Sequence, residues 1–210
     1  MMGCVPINPS SEIFKEESNK KVLVVVGPSG VGKDTVMQKI LEKYPNYFKK
    51  GTTHTTRPMR PGEKEGENYY YVSKEEFLKL KDENKLIESN FYNNNYYGLS
   101  KMELEKAGTL DKIMYVVIDI NGANSVHNLN IPTNYVAILP PSNEILEKRL
   151  IGRGTEKPEV IKGRLKIAKE EIKKINESNF FNFKIINDNL DNAVNDLINE
   201  LKKVYPQLNN

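Results

Sequence analysis

The stretch Gly27-Pro28-Ser29-Gly30-Val31-Gly32-Lys33-Asp34-Thr35 constrains this chain more than any other. It follows Val22-Leu23-Val24-Val25-Val26, a β-branched apolar run that reads as a buried strand. A helical pattern through Met37, Ile40 and Leu41 comes after it and is ended by Pro45. Strand, glycine loop and helix together make a phosphate-binding loop. The glycines let successive backbone N–H groups curl around one anion, and the helix N-terminus adds positive potential. Lys33 supplies a mobile point charge for the outer phosphates of a nucleoside triphosphate. The plain alternative, a glycine-rich turn that happens to precede a lysine, does not explain why strand, spacing, lysine and helix agree.

One position departs from this pattern. The residue after such a lysine is usually Ser or Thr, whose hydroxyl reaches Mg²⁺; here it is Asp34, followed by Thr35. A carboxylate beside phosphates is repelled unless it meets a cation or turns away. Either Asp34 helps hold Mg²⁺ or its hydration shell, or it faces outward and Thr35 does the local hydrogen bonding. The second arrangement is the one expected, and the sequence assigns no metal ligand.

The chain has 210 residues, enough for one α/β domain with an insertion. Its net charge of +3 is too mild to argue for nucleic acid, and arginines gathered in a phosphate site would explain it as well. A single Cys allows no internal disulfide and fits a reducing compartment, so a cytoplasmic setting is expected. No apolar run approaches the roughly 18 residues a membrane span needs. Residues 1–20 hold two prolines and little periodicity, and read as a flexible extension. Met2-Gly3-Cys4 would open a lipidation signal, but Ile7 stands where Ser or Thr is wanted and no basic cluster follows. The segment also lacks the apolar core of a secretion signal.

A second anion site is written further along. Thr52-Thr53-His54-Thr55-Thr56-Arg57-Pro58-Met59-Arg60-Pro61-Gly62-Glu63 packs hydroxyls and two arginines into one short loop. Arg57 and Arg60 converge if the segment turns, and guanidinium forks grip phosphate in a bidentate way. In Tyr69-Tyr70-Tyr71 alternate tyrosines face the same way along a strand, so one can offer its hydroxyl to the phosphate.

Taken in order, these segments resemble guanylate kinases. The resemblance rests on Gly27 to Thr35, Thr55 to Glu63, Asn95-Tyr96-Tyr97-Gly98, Ile118-Asp119-Ile120-Asn121-Gly122 and Arg149-Leu150-Ile151-Gly152-Arg153-Gly154-Thr155-Glu156, and spans Val22 to Leu201. It implies an α/β fold of the P-loop type: a three-layer sandwich with a parallel sheet and helices on both faces. A small mixed-β insertion at 48–98 would bind GMP, and a helical lid would cover 142–169. It implies transfer of the γ-phosphoryl of ATP to GMP, with ATP as co-substrate and Mg²⁺ as cofactor. ATP would lie on Gly27, Pro28, Ser29, Gly30, Val31, Gly32, Lys33, Asp34 and Thr35. Arg57, Arg60, Tyr69 and Tyr97 would hold the GMP phosphate, with Thr53 at a nearby hydroxyl position. Glu88 would accept from the guanine N1–H and exocyclic amine, and Asp119 would serve the guanine and metal side. Some nucleoside monophosphate kinases lack the hydroxyl after the P-loop lysine and hold the metal through water. Two further positions differ from the family: Leu99 stands where a hydroxyl usually follows Tyr-Gly, with Ser100 one residue late, and Val117 replaces a second acid before Asp119.

The resemblance also implies that Arg149, Arg153 and Arg164 fold over the triphosphate, neutralise charge on the transferring group and exclude water. The alternative is a basic amphipathic helix, for which Glu156, Glu159, Glu170 and Glu171 would supply surface ion pairs. Asn187, after the late strand Ile185-Ile186, is assigned to the adenine side of ATP. Leu190, Val194, Leu197, Ile198 and Leu201 recur at helical spacing and read as a last helix on the sheet. His54 and His127 read as ordinary polar positions.

Three rival functions are weighed. Asp119 to Gly122 also resembles the switch motif of GTPases, but the guanine-reading Asn-Lys-x-Asp is missing, since Asn84-Lys85-Leu86-Ile87 lacks the aspartate. Guanylate-kinase-like scaffold modules have lost catalysis, whereas this chain keeps Gly27, Gly32 and Lys33. A kinase for another nucleoside monophosphate is disfavoured by Glu88 and the Thr-Thr-Arg-x-x-Arg run. The expected partners are the small molecules GMP and ATP, with no nucleic acid and no membrane.

Overall fold

The computed structural model describes residues 20–92, 94–152 and 158–209. Residues 1–19, most of the expected N-terminal extension, lie outside the described residues, as do Arg153 to Glu156 of the expected lid.

Strand β1 (Val22–Val26) is buried along its whole length, because it is the middle strand of a five-stranded parallel sheet. Its neighbours are β7 (Ile113–Val117) and β8 (Thr133–Leu139), and the edges are β2 (Phe48–Lys50) and β9 (Phe183–Ile186). Successive side chains of β1 go to opposite faces. Leu23 and Val25 join one core with Met37 and Ile40 of α1 (Lys33–Lys43) and Val194, Leu197 and Leu201 of α7 (Leu190–Val204). Val22, Val24 and Val26 join the other, with Leu104 of α3 (Lys101–Ala107) and Ile120, Ala123 and Val126 of α4 (Ile120–Asn128). Two apolar faces on one sheet give the expected three-layer sandwich.

The final helix forms where the leucine spacing places it. Asn189 caps it by accepting from the N–H groups of Asp191 and Asn192. Its buried stripe is Ala193, Val194, Leu197, Ile198 and Leu201.

A second, four-stranded sheet in the order β4-β3-β6-β5 stands beside the first. It comprises β3 (His54–Thr55), β4 (Tyr70–Tyr71), β5 (Leu86–Tyr92) and β6 (Asn95–Ser100). The β3–β4 pair is parallel and the β3–β6 and β5–β6 pairs are antiparallel, so this sheet is mixed. Helix α2 (Lys74–Asp82) covers it, started by a capping box between Ser73 and Glu76 and packed through buried Phe77. Strand β2, at the start of the segment 48–98, pairs with β7 and so belongs to the main sheet. The expected lid segment holds α5 (Asn143–Gly152) and α6 (Pro158–Glu177), and α6 runs past Lys169. Ile161 and Ala168 tie α6 to one core and Ile175 ties it to the other.

Candidate active site

A cleft of about 580 Å³ opens between the two sheets at the C-terminal end of β1. Gly27, Ser29, Lys33 and Asp34 form one wall; Thr53, Tyr69, Glu88 and Tyr97 form another; Asp119 and Arg164 line it between them. Residues from four distant parts of the chain therefore meet at one space.

The glycine loop is shaped by backbone demands. A Cβ on Gly27 would overlap the carbonyl oxygen of Ile138 on the neighbouring strand β8. Gly32 has φ +97°, and a Cβ there would lie 2.7 Å from Asn187 Nδ2. Gly32 is also the N-cap of α1 and carries no side-chain oxygen, so no side chain caps the first-turn amides. Lys33 Nζ donates to the carbonyls of Gly27 (2.6 Å) and Pro28 (3.2 Å), folded back along its own loop. Asn187 Nδ2 donates to Val31 O at 2.7 Å, so this buried side chain braces the loop from behind. Its Oδ1 is buried with no hydrogen-bond partner among the described residues.

Asp34 lines the cleft, and Thr35 is exposed without lining it. This corrects the expectation of an outward Asp34 with Thr35 in the bonding role. The cleft is open at this point, so the carboxylate stays hydrated beside the loop. Its charge helps raise the Tyr69 hydroxyl, though burial is the main cause and Tyr97 the next.

In the opposite wall, Tyr69 and Tyr97 meet edge to face at 6.0 Å and Thr53 is half-buried beside them. Arg57 packs its guanidinium 5.3 Å from the Tyr69 ring and 5.8 Å from that of Tyr71. It donates to Glu63 Oε1 at 2.8 Å and to the Pro58 carbonyl at 2.8 Å. Glu63 accepts further from the Tyr71 hydroxyl and the Arg60 amide, and its carboxyl is held down to about 2, chiefly by Arg57. Arg57 thus stands behind Tyr69, at the rim, and exposed Arg60 meets Glu63 through its backbone. Neither arginine lines the cleft.

Glu88 sits on β5, opposite Leu99 of β6. The Leu99 side chain is apolar and fully buried. The Glu88 carboxyl is raised to about 7 by burial first and by the charge of Asp119 second, against a pull from the Leu99 backbone amide. Asp119 is the N-cap of α4: its Oδ1 accepts from Gly122 N at 2.8 Å and its Oδ2 from Asn90 Nδ2 at 2.7 Å.

Of the three arginines expected over the triphosphate, Arg164 lines the cleft, and Arg153 lies outside the described residues. Arg149 donates through Nη2 to the Asp188 carbonyl at 2.9 Å, while its Nη1 is buried with no hydrogen-bond partner among the described residues. Glu170 and Glu171 also line the cleft, contrary to a role in surface pairs. The Glu171 carboxyl is raised to about 7 by burial, with Lys33 opposing and Asp119 reinforcing the shift. The missed signal is helical spacing, since Glu171 stands seven residues from Arg164 on the same face of α6. Asn90 was likewise legible as the residue two beyond Glu88 on one strand face.

Among the described residues, no three acidic, His or Cys side chains gather as a metal cage, and no helix is long and apolar enough to cross a membrane. The guanylate kinase family model matches residues 19–204. A guanylate kinase from Schizosaccharomyces pombe is 40% identical, covering 84% of this chain and 88% of its own length. The human guanylate kinase is 33% identical, with 86% of this chain and 91% of its own covered. The crystal structure of guanylate kinase from Anaplasma phagocytophilum superposes with a TM-score of 0.65 at 31% identity, over 89% of this chain and 86% of that one. A cleft joining a glycine loop to a guarded carboxylate, in a chain similar to these proteins over most of its length, leads to one conclusion: the chain belongs to the guanylate kinase family.

Proposed function

We propose that this protein transfers the γ-phosphoryl group of ATP to GMP, giving ADP and GDP. One observation carries the reading: the glycine loop with Lys33 and the wall of Thr53, Tyr69, Glu88 and Tyr97 face a single cleft, so donor and acceptor phosphates can meet in it. Most of the catalysis is then positioning and charge stabilisation.

ATP phosphates rest on the loop amides, and Lys33 exchanges the carbonyls of Gly27 and Pro28 for phosphate oxygens. GMP enters with its phosphate at Tyr69 and Tyr97, where Arg57 and Arg60 supply positive charge from the rim. Ionised Glu88 accepts from guanine N1–H and the exocyclic amine, an edge that adenine does not present. An oxygen of the GMP phosphate attacks the γ-phosphorus, and the bond to the ADP oxygen breaks. The attacking oxygen is already ionised, so no general base is needed. Arg164 and the orphan Nη1 of Arg149 offer donors to the triphosphate side. Asn187 acts as a brace for the loop.

The donor set suits Mg²⁺, which binds through one or two carboxylates, several waters and substrate phosphates. Asp34 lines the cleft beside the loop and is the carboxylate that would hold it. When bound, the ion offsets charge on the β- and γ-phosphates. A cytoplasmic setting fits the single cysteine and is checked by fractionation.

The test is coupled ADP release with ATP and Mg²⁺, comparing GMP with AMP, CMP, UMP and dTMP. Turnover with GMP alone is expected. A folded protein that binds GMP yet turns over no acceptor would be a binding module, and the proposal would fail.

A further inference from the structure

Guanine offers two adjacent donors, N1–H and the 2-amino group, so its pocket must present acceptors. Two carboxylates, Glu88 and Asp119, stand where that edge would lie, both lining the cleft. Leu99, across the strand pair from Glu88, meets that carboxylate through its backbone amide, while its side chain is apolar. That amide serves Glu88, so the place of Asp119 relative to it is set by other groups.

Asp119 is held at both oxygens. On one side is the Gly122 amide at the start of α4; on the other is the side chain of Asn90. Asn90 is two residues beyond Glu88 on β5, so both side chains leave the same face of the strand and both line the cleft. The bond from Asn90 to Asp119 spans 29 residues of sequence and ties the small sheet to the end of the main one. It sets the plane of the Asp119 carboxylate and pins the strand that carries Glu88 against α4. It also gives the aspartate a donor, which stabilises its charge beside a second acid.

We propose that Asn90 is a positioning residue for guanine recognition, which acts by clamping Asp119 and registering Glu88 against it. The inference rests on the assignment of GMP as the acceptor. Asn90 bonds Asp119 from the strand that carries Glu88, so its effect is expected on the acceptor side.

The experiment uses the full chain with Asn90→Ala and Asn90→Asp, measured by steady-state kinetics with GMP and ATP varied in turn and by calorimetric GMP binding. Loss of a hydrogen bond to a charged group predicts a KM and Kd for GMP raised about tenfold in Asn90→Ala, with kcat and KM for ATP within about twofold of the parent. Asn90→Asp keeps the shape but replaces the donor with a charge facing Asp119, so its loss for GMP equals or exceeds that of alanine. A space-filling role would make the aspartate variant near normal, and that result overturns the proposal. So does an equal loss for ATP and GMP, or GMP binding unchanged in both variants. Thermal unfolding separates a folding defect from these outcomes, and a lesser variant, Asn90→Ser, retains a short donor if both others fail to fold. A parent chain that phosphorylates GMP while the variants behave normally sinks this inference alone. A parent chain that does not bind GMP sinks the functional reading and this inference with it.

Discussion

Gly122 packs so closely on Glu88 that a methyl group would push the carboxylate aside by a few tenths of an ångström: a Cβ there would lie 3.0 Å from Glu88 Cγ and 3.2 Å from Cδ. The N-terminus of α4 therefore forms the back of the carboxylate's pocket and keeps water from it. That exclusion is the main reason the Glu88 carboxyl is raised to about 7. The ionised form is the one that can accept from guanine. GMP binding should weaken as pH falls below 7, approaching about a tenfold rise in Kd per unit. Glu88→Gln should raise KM for GMP far more than KM for ATP and remove this pH dependence. Gly122→Ala should also raise KM for GMP by displacing Glu88. Initial rates from pH 5.5 to 8.5 check all three, and equal effects of Glu88→Gln on both substrates would remove Glu88 from the guanine site.

The same burial has a stability consequence of opposite sense. A carboxyl raised from 4.5 to about 7 on folding binds more protons in the folded state, so stability falls as pH rises through that window. At pH 8 Glu88→Gln should be more stable than the parent by about 1–3 kcal/mol, with no gain at pH 4. Urea unfolding at the two pH values measures this. Under the proposed role of Glu88 in guanine recognition, the fold gives up stability to keep a buried carboxylate at the site.

Glu63 governs Arg57 in the acceptor wall. Its carboxylate, fixed by the Tyr71 hydroxyl and the Arg60 amide, aims the guanidinium along the ring of Tyr69. Because the Glu63 carboxyl is held near 2, the pair persists at every pH from 4 upward and is not the source of pH effects near 7. Glu63→Gln should raise KM for GMP about fivefold with KM for ATP unchanged. Arg57→Lys should not restore binding, since an ammonium lacks the planar fork. Normal GMP affinity in both variants would take Arg57 out of the phosphate site.

Much of this arrangement is legible in the chain, for reasons that differ by element. The run Val22–Val26 declares a central strand because a parallel strand buried on both faces has no polar positions to alternate. Helix α7 declares itself because one side packs on the sheet and one side is wet. The loop reads clearly because its glycines answer local backbone demands. What escapes the sequence depends on partners far along the chain. Asn187 braces Val31 across 156 residues, and only the parallel pairing of β8 with β9 brings them together. Asp34 looked outward because local repulsion was weighed without the open cleft beside it. Glu171 looked like a surface charge until α6 was seen to turn that face toward Lys33 and Asp119.

Lys33 combines charge with reach in the glycine loop, and among its contacts are the backbone carbonyls of Gly27 and Pro28. Lys33→Met keeps the stem and removes the charge. Turnover should fall about a thousandfold with the thermal midpoint within a few degrees of the parent. Turnover near the parent level in a folded variant would refute the role of the loop.

Glu103 on α3 tests how the small sheet is held. It is buried, and it accepts from the Thr52 amide at 2.9 Å, the Tyr70 hydroxyl at 3.0 Å and Lys106 Nζ at 2.9 Å. Burial alone would push its carboxyl up; Lys106, Thr52 and Tyr70 outweigh that and bring it below the usual carboxylate range. A depressed carboxyl contributes stability that is present above its unfolded value of about 4.5 and is lost as pH falls through the folded one. Glu103→Ala strands an amide and an ammonium and should cost about 2–4 kcal/mol at pH 7, with a smaller loss at pH 3. Glu103→Gln keeps the acceptor oxygen and should cost less. The strands anchored here, β3 and β4, lead to Thr53 and Tyr69 in the cleft wall, so the folded fraction of Glu103→Ala should bind GMP more weakly while ATP binding holds. Denaturation at the two pH values, paired with calorimetric titration of each nucleotide, separates the stability effect from the effect on the wall; a variant as stable as the parent at both pH values would show that the cluster does not anchor the sheet.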